Sequence, residues 1–175
     1  MVQNNQEVEE VPVINMEAFL NKTGDWEGEC KKVAESLHKF GILIVRDPRV
    51  DHKDNDTYID MMERYFESRG KMFYKGEELK DAHPELSYQT GVTPESVERA
   101  RDHAKVVAGL PADSMPMSPF PPELDAKWRF FWAIGKRPAE TKDEIPQTYP
   151  EGFPEWEENM DKWGNFMIEA CFTSA

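Results

Sequence analysis

An α+β fold is predicted by three stretches of the chain. Residues 11–45 read strand, helix, strand. Residues 55–73 carry a long helical apolar stripe. Residues 128–134 alternate as a strand and are followed by a second helical stripe from 156 to 171.

The elements follow in order. Residues 1–9 are polar and acidic and read as a disordered tail. "VPVINM" (11–16) is β-branched and weakly alternating, a short strand, with Pro12 suited to its edge or first residue. Asp25 is placed to cap the next helix. Trp26, Cys30, Val33, Ala34, Leu37 and Phe40 recur at helical spacing, and Gly41 stands just beyond, where a left-handed residue is wanted. His38 and Lys39 place positive charge in the last turn, which suits the helix dipole. The continuous apolar run "ILIV" (42–45) predicts a buried strand.

Tyr58, Met61, Met62, Tyr65, Phe66, Arg69, Met72 and Phe73 form the next stripe. "GEELKDA" (76–82) predicts a short polar helix, and Thr93-Pro94-Glu95 opens another that runs to about Val107. Residues 109–124 hold five of the thirteen prolines and are read as an ordered crossover packed through Met115, Met117 and Phe120. Trp128, Phe130, Trp132 and Ile134 alternate with Arg129, Phe131 and Ala133, a strand partly buried on both faces. Pro138, Pro146, Pro150 and Pro154 punctuate a second irregular stretch, and the last helix begins near Pro154.

Charge excludes some functions. With 21 Lys+Arg against 34 Asp+Glu, the net charge is -13, and acids are spread along the whole chain. No basic stripe exists to neutralise phosphates, so neither nucleic acid nor an anionic membrane surface is an expected partner. The first ten residues do not read as a signal peptide, so none is expected in them, and no apolar run approaches the ~20 residues that span a bilayer. Cys30 and Cys171 fall on apolar helical faces and read as buried reduced thiols, which fits a cytoplasmic protein.

His52-Lys53-Asp54 is an H-x-D triplet, able in principle to supply two ligands of a 2-His-1-carboxylate iron site, with His103 as the third. The triplet carries little information. Two H-x-acid triplets occur, the other being His83-Pro84-Glu85, against roughly one expected by chance in so acidic a chain. "DPRVDHKDND" lies between a strand and a helix, so a solvated turn is expected, with Asp54, Asn55 or Asp56 as the cap. His103, within "ERARDHAK", is expected on a solvated helix face.

The order of phrases says more. Pro12-Val13-Ile14-Asn15 is followed by a helix into Phe40-Gly41-Ile42-Leu43-Ile44-Val45, then by a helix into Met72-Phe73-Tyr74-Lys75-Gly76-Glu77-Glu78-Leu79-Lys80. Next come Tyr88-Gln89-Thr90-Gly91 and, at the close, "WEENMDKWGNFMIEA". This series resembles the N-terminal region of the isopenicillin N synthase-like dioxygenases, non-haem iron enzymes that mostly depend on 2-oxoglutarate. The likeness spans residues 9–92 and 125–175. It departs at Arg46-Asp47-Pro48 and does not cover 94–124.

The resemblance implies a helical N-terminal subdomain, residues 10–124. A strand and long helix, 125–175, then lead into a catalytic jelly roll (a double-stranded β-helix) that this chain lacks. It implies Fe(II) and 2-oxoglutarate as cofactors of a full-length parent, bound by an H-x-D, a distal His and an R-x-S on jelly-roll strands. The chain itself is expected to bind none and to be inactive alone. Its partners would be the missing jelly roll and, in the parent, a small organic substrate, touched here by Tyr88, Gln89 and Thr90. The other reading is a non-catalytic interaction module derived from this region.

Overall fold

A computed structural model describes residues 10–115, 121–135 and 145–174. It is α+β: β1 (Val13–Asn15), α1 (Met16–Asn21), α2 (Trp26–Phe40), β2 (Ile44–Arg46), α3 (His52–Tyr74), β3 (Gly91–Thr93), α4 (Ala104–Val107), β4 (Arg129–Phe131) and α5 (Trp156–Ser174). The chain divides into two compact units, Met1–Asp56 with Asn165–Ala175, and Thr57–Gly164. No helix among the described residues is long and apolar enough to cross a membrane.

The first unit is built on a parallel pair, with Val13 opposite Ile44, Ile14 opposite Val45 and Asn15 opposite Arg46. Parallel strands need a crossover, and α1 and α2 provide it. Each helix is delimited by side-chain chemistry. Asn15 Oδ1 accepts from the Glu17 and Ala18 amides, and Asp25 Oδ1 accepts from the Gly28 amide at 3.1 Å. Gly41, at φ 71°, ends α2 by donating its N–H to the Leu37 carbonyl. Buried Ser36 then donates to the Ile42 carbonyl at 2.8 Å, which fixes the turn into β2.

A second tie closes this unit. The Arg49 guanidinium forks onto Asp47, with Nε to Oδ1 at 2.9 Å and Nη2 to Oδ2 at 2.6 Å. Its Nη1 reaches Glu169 on α5 at 3.0 Å. Planar bidentate geometry of this kind is what an arginine supplies and a lysine does not.

The second unit is centred on Tyr65 and Trp156, both fully buried, with Met61, Leu79, Val92 and Met160. The Tyr65 ring lies 4.6 Å from Trp156, and edge-on to Phe130 and Phe153 at 5.3 and 5.5 Å. Phe130 comes from β4, which pairs antiparallel with β3 in the register Val92 opposite Phe130. Gly91 opens β3 at φ 69°, and a Cβ there would stand 2.1 Å from the Asp81 carbonyl. Only glycine fits that position.

Several expectations need correction. The strand at 42–45 is β2, shifted to Ile44–Arg46, and it is not buried: Ile42 and Ile44 are 54% and 46% exposed. A sheet of two strands leaves one face for solvent, so the apolar run has no second layer to bury it. Residues 76–82 form turns rather than a helix, because Leu79 and Asp81 are drawn into the core of this unit.

The predicted helix from Thr93 is reduced to Ala104–Val107. Thr93 ends β3 instead, Ser96 takes φ 61° and donates its amide to the Asp125 carbonyl, and Arg99 bridges Leu124. Cys30 and Cys171 are exposed, not buried. Met115 is exposed too, which removes one anchor of the expected crossover. Met117 and Phe120, like the 1–9 tail and Pro138, lie outside the described residues.

Candidate functional site

Hollows occur in both units among the described residues, and two of them are lined by elements of more than one kind. The first is an open apolar groove of about 450 Å³. Its floor is Ile14 of β1 and Met16 of α1, both 3% exposed. Its wall is the α2 stripe Cys30, Val33 and Leu37, brought to one side by the three- and four-residue spacing. Glu29 is the charged residue of this lining. Its carboxylate accepts from Lys32 at 2.6 Å and from the Asn15 amide at 2.8 Å, which together hold its pKa below the usual range. A carboxylate so occupied is a poor proton acceptor, and the groove is suited to apolar recognition rather than acid–base chemistry.

Within the lining, Leu37 is 48% exposed. Val13 and Ile44, opposite each other and 49% and 46% exposed, alternate with the groove-lining Ile14 and Val45 and so stand on the other face of the strand pair. Exposed apolar surface marks binding faces in soluble proteins when it is contiguous.

The hollow of the second unit, about 390 Å³, is lined by Arg69, Met72, Asp81, Thr148, Tyr149 and Glu151, with Lys80 at its edge. Beneath it lies a buried ion pair. Arg69 Nε and Tyr65 Oη both donate to Asp81 Oδ2 at 2.7 Å. Arg69 Nη2 also donates to the Glu151 carbonyl at 3.2 Å, and Lys80 reaches the Glu151 carboxylate. Burial, with the Asp81 charge second, drives the Tyr65 pKa far above its ordinary value, so this phenol stays protonated and keeps its proton for Asp81. The arrangement is a brace.

The predicted site residues fall in different places. Tyr88 is half-buried at φ 55°, and Gln89 is exposed, with its amide nitrogen donating to the Ser87 carbonyl. Thr90 is buried, and its hydroxyl donates to the Pro146 carbonyl at 2.9 Å. A hydroxyl has one proton, so Thr148 must be the donor in the 2.9 Å contact between Thr90 and Thr148. Thr90 thus touches the second hollow through Thr148, not directly.

His52 is the exposed first residue of α3, and Asp54 is half-buried in the same turn. The side chain that caps this turn is Asp51, whose Oδ1 accepts from the Lys53 amide at 2.9 Å; Asp54, Asn55 and Asp56 come too late. His103 is exposed and immediately precedes α4. Among the described residues, no group of three or more His, Cys, Asp or Glu could hold a metal ion.

Sequence reasoning did not foresee the Arg69–Asp81 pair. The signal was there: Arg69 stands on an otherwise apolar stripe, and a buried guanidinium needs an anion. No family model, curated protein or solved structure matches this chain.

Proposed function

We propose that this chain is the N-terminal portion of a non-haem iron, 2-oxoglutarate-dependent oxygenase. In this reading its work is recognition. The apolar groove of the first unit receives a jelly roll that carries the chemistry, and Tyr88, Gln89 and Thr90 belong to the substrate-facing loop. The observation that supports the reading is the apolar groove itself, to which Ile14 and Val45 come from the same Pro-Val-Ile-Asn and Phe-Gly-Ile-Leu-Ile-Val phrases that bear the resemblance.

The iron does not fit the described residues of this chain. His52 is exposed and Asp54 half-buried in the first turn of α3, and no third ligand joins them among those residues. No step of the oxidation is therefore assigned to them. The metal, the 2-oxoglutarate carboxylate and the open coordination positions belong to residues that the parent would supply.

The same groove supports a second reading, an interaction module without catalysis. The reading frame beyond Ala175 separates the two. An H-x-D, a distal His and an R-x-S downstream support the oxygenase. A stop codon there, or a continuation without those motifs, favours the module.

A further inference from the structure

No further inference is drawn: the strongest candidate beyond the groove already described, the hollow between Arg69, Met72, Asp81, Thr148 and Glu151, carries nothing, because the unpaired oxygen beneath it, Asp81 Oδ1, is closed to solvent and its cations are spent on Asp81 and Glu151.

Discussion

Arg69 Nε meets Asp81 Oδ2 at 2.7 Å, and both side chains are at least nine-tenths buried. The pair fastens the 76–82 turns to α3, and Tyr65 donates to the same oxygen. Removing one member strands the other charge in the core. Arg69→Met or Asp81→Asn is expected to cost about 3–5 kcal/mol. Urea unfolding measures it, and a loss under 1 kcal/mol in both variants would mean that the pair is not the brace described.

The two strand residues Ile14 and Ile44 should behave oppositely. Ile14 is 3% exposed and Ile44 46%. Ile14→Asp buries an unpaired carboxylate and should cost several kcal/mol, whereas Ile44→Asp should stay within about 1 kcal/mol of the parent chain. Thermal melts of the two variants decide it. Equal destabilisation would place β2 in a core after all.

Acid should weaken the first unit through Asp47. Its side-chain hydrogen bond to Arg49 holds the carboxyl below its ordinary value. A group whose folded pKa is depressed stabilises fully above its unfolded value, about 4, and loses that contribution as pH falls through the folded value. Stability measured from pH 6 to pH 2 should therefore fall more gently in Asp47→Asn than in the parent chain. An unchanged acid limb would contradict the pairing.

Much of the first unit was legible because its signals are local. Asp25 and Gly41 delimit α2 by chemistry that acts within four residues, and the α2 stripe follows from helical spacing alone. The Trp156–Met160–Trp163 stripe located α5 for the same reason. The failures are tertiary. "GEELKDA" has helical composition, but Leu79 and Asp81 are pulled into contacts with distant partners. Thr93-Pro94 looks like a helix start, yet pairing of Thr93 with Arg129 claims it for a sheet. Burial of "ILIV" was inferred from apolarity, which cannot reveal that, among the described residues, β2 pairs with β1 alone. The proposed contact residues Tyr88, Gln89 and Thr90 were read only from a phrase; they fall in one loop, but Thr90 turns its hydroxyl inward to Pro146 and Thr148.

The apolar groove should bind hydrophobic probes. Cys30 both lines it and is exposed, so a thiol reagent can reach it. Residues 1–175 are expected to enhance the fluorescence of a hydrophobic dye at micromolar concentration. Val33→Lys, or bulky alkylation of Cys30, should reduce that signal at least several-fold without a change in far-UV circular dichroism. Dye binding indifferent to both would remove the groove as a recognition face.

The central proposal is that this chain serves an iron oxygenase whose iron is held by other residues. Anaerobic titration with Co(II), a spectroscopic stand-in for Fe(II), tests it most directly, run on residues 1–175 and, where the reading frame continues, on the longer product. The account predicts one equivalent bound by the extended protein, unaffected by His52→Ala or His103→Ala, and none bound stoichiometrically by residues 1–175. One equivalent bound by residues 1–175 and lost in both histidine variants would contradict it, as would an extended protein that binds no metal.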